Sequence, residues 1–135
     1  MKKQNPEELQ VVYSQLWSVM KSHHISFIHA WEGIVTALRT QPNFKIHLLC
    51  SAIVTGAGYY FKISNIEWAI LLFVIASGLA IELLNTSIEY TVDLLTDEYH
   101  MLAKFAKDTA AGAMLVYAFF SVIIGLLIFL PKILN

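Results

Sequence analysis

Three long runs of apolar residues, separated by short polar segments, dominate the last two thirds of this 135-residue chain. The runs, free of acidic residues, lysine and arginine, are 46–61, 68–81 and 109–130. A helix needs about 20 apolar residues to cross a bilayer. The span at the first run therefore includes flanking residues or lies where the bilayer is locally thinner. The pattern predicts three helices, each containing one transmembrane span, over about 44–62, 66–95 and 103–131.

Residues with strong local preferences mark where these helices begin and end. Ser64 is followed three positions later by Glu67, which is the pattern of a capping box and predicts a helix start. Pro42 breaks the chain before the first span, and Pro131 follows the last apolar run. We therefore expect the third helix to stop at Pro131.

A further helix is predicted ahead of the spans, over residues 27–40. Its apolar residues recur at helical spacing and are Phe27, Ile28, Trp31, Ile34, Val35 and Leu38. The pattern is typical of an amphipathic helix lying along the membrane surface, and a helix buried against the spans is the alternative. Residues 1–26 are interpreted as an N-terminal tail or helix.

Composition and charge assign the whole chain, 1–135, to one membrane domain. Hydrophobic residues make up 57% and charged residues 14%, against about 45–50% and 25% in soluble domains. With a cytosolic N-terminus, seven of the nine Lys and Arg residues lie inside, which satisfies the positive-inside rule. This topology places residues 82–108 at the cytosolic face of the cell membrane. A net charge of −1 gives no indication of a nucleic-acid partner.

A polar stripe follows the uncharged part of the second span. Glu82, Asn85, Glu89 and Asp93 fall within a narrow arc of one helix. A carboxylate beside hydrocarbon loses hydration, so Glu82 needs partners. Glu82 and Glu89 are about 10 Å apart, too far to hold one ion together. The stripe indicates a site for a metal, a proton or a phosphate, with separate roles for the two glutamates.

A second polar group is expected near the same membrane face. Its members lie in the turn after the second span and at the start of the third helix, and are Glu98, Tyr99, His100, Lys107 and Asp108. Taken alone, these residues are typical of solvated helix ends and of lysines whose ammonium groups extend to the membrane surface. His47, near the start of the first span, is typical of a polar residue that is hydrogen-bonded within a helix bundle. The chain has neither a phosphate-binding loop nor a soluble-kinase motif.

The residues resemble those of a known family. Three segments carry the likeness: Glu82-Leu-Leu-Asn-Thr-Ser-Ile-Glu-Tyr-Thr-Val-Asp93, Glu98-Tyr-His100 and Ala106-Lys-Asp-Thr-Ala-Ala-Gly-Ala113. They look like the prokaryotic diacylglycerol kinase family, which are integral-membrane lipid kinases. The segments Trp31-Glu-Gly-Ile, Asn43-Phe-Lys-Ile-His47 and Gly125-Leu-Leu-Ile-Phe-Leu-Pro-Lys132 look more like the branch that phosphorylates undecaprenol.

The resemblance implies an all-α, three-span homotrimer with an interfacial helix and active sites between subunits, using ATP and Mg²⁺. It implies that Glu82 is the general base, that Asn85 orients the reacting groups and that Glu89 binds Mg²⁺. The residues implied to hold ATP are Glu98, Tyr99, His100, Lys107 and Asp108. The family pattern has a second glutamate ligand before the first span, where this chain has Gln41. An amide binds Mg²⁺ less strongly than a carboxylate, so metal affinity and activity are open questions.

Three alternatives remain beside an undecaprenol kinase. Diacylglycerol also presents a primary hydroxyl near the interface, and the same motifs serve it. A small proton or cation carrier would use the intramembrane carboxylates, but the outer halves of the second and third spans are almost wholly apolar. A catalytically inactive, lipid-binding relative would be consistent with Gln41.

Overall fold

The computed structural model describes residues 26–134, and all regular secondary structure in this range is helical. The four helices are α1 (26–40), α2 (Pro42–Tyr60), α3 (Asn65–Leu95) and α4 (Met101–Leu134). The tail or helix predicted over 1–26 lies outside the described residues, apart from Ser26. The chain divides into two compact units, Met1–Thr36 and Ala37–Asn135. The all-helical class predicted from the sequence is confirmed.

The described part of the first unit is the helical stretch 26–36. Phe27 and Trp31 are 81% and 64% exposed, whereas a helix packed into a core would bury such large aromatic side chains. His29 and Glu32, one turn apart, form an exposed pair at 3.1 Å. The placement of this segment along the membrane surface stays a prediction.

In the second unit α3 is the central helix, and it packs against both α2 and α4. A small core forms where the turn between α2 and α3 meets the far end of α4. Ile63, Leu71 and Ile128 are buried there, and Trp68 and Phe129 pack around them. This core fixes the end of the bundle opposite the polar stripe.

A close approach between α3 and α4 depends on a glycine. The Tyr117 hydroxyl of α4 donates a hydrogen bond to the Val74 carbonyl of α3. A Cβ on Gly78 would lie 2.6 Å from a Tyr117 ring carbon, which is inside any normal contact distance. The absence of a side chain at Gly78 therefore lets the Tyr117 ring lie against α3 and sets the spacing of the two helices.

The ends of α3 and α4 partly match the sequence expectations. The predicted capping box is present: Ser64 accepts from the Glu67 backbone N–H, and the Glu67 carboxylate accepts from the Ser64 N–H at 2.6 Å. The expectation that α4 stops at Pro131 is wrong, because the helix continues to Leu134. Lys132, in this last turn, pairs with Glu67 at 3.2 Å. That ion pair holds the final turn against α3, and a proline so near a helix end removes only one backbone hydrogen bond.

Among the described residues, α3 and α4 are long and apolar enough to cross a membrane. Only 17% and 11% of their most apolar stretches are buried, so these helices present most of their apolar side chains outward. At about 1.5 Å per residue, α3 is about 46 Å long, against about 30 Å of hydrocarbon. α3 is therefore longer than a single span along the bilayer normal needs. The span predicted in α2 does not meet the same criterion and stays a prediction.

Candidate active site

Glu82 is the largest fully buried side chain among the described residues, with 2% of its surface exposed. It lies in α3 one turn after Gly78, directly after the uncharged run, as the sequence predicts. The imidazole Nε2 of His47, on α2, lies 4.0 Å from Glu82 Oε2. A buried carboxylate is strongly disfavoured unless it is paired, so this position needs a function or a partner.

The next turn of α3 holds two buried oxygen atoms that have no protein partner. The Asn85 Nδ2 group donates to Glu89 Oε1 at 3.1 Å, which fixes the orientation of both side chains. Asn85 Oδ1 and Thr86 Oγ1 are buried without a hydrogen-bond partner. Unsatisfied buried polar atoms are rare in proteins and require an explanation such as a bound ion or ligand. Thr86 was not among the residues singled out from the sequence.

A polar cavity of about 510 Å³ lies beyond the stripe, where α3 ends and α4 begins. All five residues expected to hold ATP line it. The complete lining is Val92, Asp93, Thr96, Asp97, Glu98, Tyr99, His100, Ala103, Lys104, Lys107 and Asp108. A cavity of this size is within the range of small-molecule and cofactor sites. Because Asp93 belongs both to the stripe and to this lining, the cavity is continuous with the polar face of α3.

Charge in this cavity is unevenly balanced. Four carboxylates, Asp93, Asp97, Glu98 and Asp108, face two lysines. Both lysines are already paired: Lys107 with Asp93, and Lys104 with Asp108. A polyphosphate entering such a site needs additional positive charge, and a divalent cation is the usual source.

The residues near Glu89 suit a hard cation. Glu89 supplies a carboxylate and Asn85 an unpartnered amide oxygen, the ligand types that Mg²⁺ prefers. The described residues contain no group of three or more His, Cys, Asp or Glu side chains placed to hold a metal. Mg²⁺ characteristically takes few protein ligands and completes its shell with water and phosphate oxygens. The donor set therefore fits Mg²⁺ bound together with a nucleotide.

Gln41 and Tyr90 form a contact that the sequence did not predict. Gln41 Nε2 donates to the Tyr90 hydroxyl at 3.3 Å, and Thr40 Oγ1 lies 2.5 Å from the same hydroxyl. Tyr90 directly follows Glu89 on α3. These contacts bring the start of α2 beside the part of α3 that carries the candidate metal ligand. The helical period of α3 alone gives no signal of this contact.

Comparison with known proteins gives consistent similarities. The family model described as prokaryotic diacylglycerol kinase matches residues 28–129. An undecaprenol kinase of Bacillus subtilis (strain 168) is 52% identical over 107 residues, covering 79% of this chain and 87% of that protein. A diacylglycerol kinase of Synechocystis is 40% identical, and the match covers 88% of this chain and 69% of that protein. A diacylglycerol kinase of Escherichia coli (strain K12) is 25% identical, and the match covers 70% of this chain and 78% of that protein.

Proposed function

The chain belongs to the prokaryotic diacylglycerol kinase family, and on that premise we propose that it transfers the γ-phosphoryl group of ATP to undecaprenol. It is a membrane-embedded lipid kinase. The 52% identity to an undecaprenol kinase, compared with 40% and 25% to two diacylglycerol kinases, supports undecaprenol as the acceptor.

The buried carboxylate of Glu82 carries the proposal. It is buried and lies directly after the uncharged part of α3. In the proposed topology this position is at the depth of a membrane lipid's hydroxyl. We assign Glu82 as the general base. It takes the proton from the lipid hydroxyl as the hydroxyl oxygen attacks the γ-phosphorus, and ADP leaves.

Glu89 and Asn85 would hold Mg²⁺ and orient the reacting groups. The hydrogen bond from Asn85 to Glu89 aligns the carboxylate, and the buried Asn85 oxygen has no hydrogen-bond partner in the chain. When bound, Mg²⁺ neutralises charge on the phosphate oxygens. The two glutamates thus have separate tasks, as their separation along α3 requires.

The polar cavity between α3 and α4 is the proposed nucleotide site. Glu98, Tyr99 and His100, in and beside the connecting turn, would contact the nucleoside, and Lys107 the phosphates. Lys107 is paired with Asp93, so binding exchanges one anionic partner for another. Asp108 is paired with Lys104 in the same way. The exchange leaves Asp93 unpaired, so the additional positive charge that a polyphosphate needs would come from the divalent cation.

The proposed setting is a homotrimer in the cell membrane, with three spans per subunit and a cytosolic N-terminus. The distribution of Lys and Arg supports the orientation. Much of the apolar surface of α3 and α4 is exposed in the single chain and is available to lipid or to other subunits. We place the active sites between subunits, as the resemblance to the family implies.

A competition assay tests the acceptor. Purified protein in mixed micelles receives labelled ATP, equal mole fractions of undecaprenol and diacylglycerol, and a titration of Mg²⁺. We expect label mainly in undecaprenyl phosphate and no transfer without Mg²⁺. Greater transfer to diacylglycerol would assign the chain to the diacylglycerol kinases. No transfer to either lipid, with proton flux into liposomes, would favour the carrier alternative.

A further inference from the structure

The proton that Glu82 removes from the lipid must leave a buried site. Glu82 is 2% exposed, so water does not reach it directly in this chain. The His47 side chain lies 4.0 Å away and is 28% exposed. This pair joins a buried carboxyl to a titratable group that has access to the surroundings.

No other ionisable side chain of the described residues occupies this position. On α3 the next carboxylate is Glu89, two turns away. On α4 no residue between Asp108 and Tyr117 is ionisable, and this stretch lies at the level of Glu82. On α2 the nearest titratable groups are Lys45, whose ammonium group donates to the Arg39 carbonyl, and Cys50. His47 alone makes contact with the carboxylate.

The exposed part of His47 gives its proton a way out. The cavity of about 130 Å³ that His47 borders, between α2, α3 and α4, is lined mostly by apolar side chains. The hydroxyl groups in that lining, Ser51, Tyr117 and Ser121, donate to backbone carbonyls. The 28% of the His47 side chain that is exposed is therefore the route by which a proton can reach the surroundings.

We propose that His47 accepts the proton from Glu82 after phosphoryl transfer and passes it to water. The inference rests on the proposed function. In the first step the O–H bond of the lipid breaks, its proton goes to Glu82, and the hydroxyl oxygen binds phosphorus. In the second step the proton moves from the Glu82 carboxyl to Nε2 of His47. Loss of that proton to water restores both side chains for the next turnover.

The chemistry and the distance are compatible with this role. Imidazole is the side chain that accepts and releases protons near neutral pH, and it serves widely as a proton shuttle. The 4.0 Å separation exceeds a hydrogen bond, so the side chains must approach by about 1 Å for direct transfer. A side-chain rotation of His47, which is only partly buried, supplies such a movement.

The test compares His47→Gln with Cys50→Ala, a control on the same helix and the same cavity wall. Glutamine keeps hydrogen bonding but does not titrate. We expect His47→Gln to lower kcat for undecaprenol at least tenfold at pH 7. The deficit should shrink as pH rises, because Glu82 then loses its proton more readily whenever the site opens transiently to solvent. Cys50→Ala should keep the wild-type rate and pH profile.

Rescue supplies a second measurement. Adding imidazole to His47→Ala should raise its rate several-fold, and His47→Gln should gain less because the glutamine fills the space. Nucleotide binding, in a cavity that His47 does not line, shows that each variant is folded. A wild-type pH profile in His47→Gln overturns the inference. A loss that is equal at every pH, without rescue, overturns it too and assigns a structural role. In both cases activity of the wild-type chain leaves the proposed function intact.

Discussion

Lys107, in the second turn of α4, pairs its ammonium group with the carboxylate of Asp93, in the last turn of α3. Both residues line the polar cavity that we assign to the nucleotide. Its two side chains are 38% and 58% exposed, so the pair adds little to stability and is easily exchanged. Lys107 can therefore exchange Asp93 for another anion at little cost in free energy.

Replacing Lys107 should weaken nucleotide binding. A charge-assisted hydrogen bond is worth about 1.5–3 kcal/mol, so we expect Lys107→Met to raise the KM for ATP about 10- to 100-fold. The KM for undecaprenol should change little. Lys62→Asn is the matched control: Lys62 lies at the opposite end of α3 with a φ of 51°, which asparagine tolerates. An unchanged KM for ATP in Lys107→Met would remove this residue from the nucleotide site.

Glu82→Gln should abolish turnover without preventing nucleotide binding. General-base catalysis contributes about 10²- to 10⁴-fold, and an amide cannot accept the proton. Glu82 does not line the nucleotide cavity, so the Kd for ATP should remain at the wild-type value. Glu67→Gln is the control, because glutamine preserves the capping box at the other end of α3. Wild-type phosphorylation by Glu82→Gln would eliminate the general-base role.

Gln41→Glu tests whether the start of α2 belongs to the metal site. One added negative charge near Glu89 contributes about 1 kcal/mol in a solvated site, so the half-saturating Mg²⁺ concentration should fall about fivefold. The Mg²⁺ titration is repeated with Tyr90→Phe, which removes the hydroxyl that Gln41 contacts and adds no charge. We expect no shift in that control. An unchanged Mg²⁺ requirement in Gln41→Glu would mean that glutamine is fully tolerated there.

Gly78→Ala should destabilise the α3–α4 pair. The new methyl group would lie 2.6 Å from the Tyr117 ring, and overpacking of this kind costs about 1–3 kcal/mol. Thermal unfolding in detergent should show the loss, and adding Tyr117→Leu should recover most of it. Gly56→Ala is the control: no atom lies within 4 Å of its new methyl group, so helix propensity should stabilise it by about 0.5–1 kcal/mol. Equal melting temperatures for the two alanine variants would contradict the packing argument.

Sequence periodicity predicted the parts of this site that depend on a single helix. The 100° turn per residue aligned Glu82, Asn85 and Glu89, and the start of α3 followed from local hydrogen bonding at Ser64. The cavity at the α3–α4 turn could also be predicted, because two antiparallel helices joined by a short turn bring the residues at their connected ends together.

Contacts between α2 and α3 could not be predicted in the same way. The pairing of His47 with Glu82 and of Gln41 with Tyr90 depends on how far α2 slides along α3. That offset is set by side-chain packing, including the buried Phe44, and no periodic pattern encodes it. The expectation at Pro131 failed for a different reason: a proline this near a helix end removes only one backbone hydrogen bond, so α4 continues to Leu134.

The ion pair between Glu67 and Lys132 has a consequence for movement. It ties α3 to α4 at the end of the bundle opposite the nucleotide cavity, beside the core around Ile128. Further along the hairpin, Tyr117 also holds α4 against α3 at Val74 and Gly78. Lys107 can therefore exchange Asp93 for a nucleotide phosphate while the packing of the two helices stays in place.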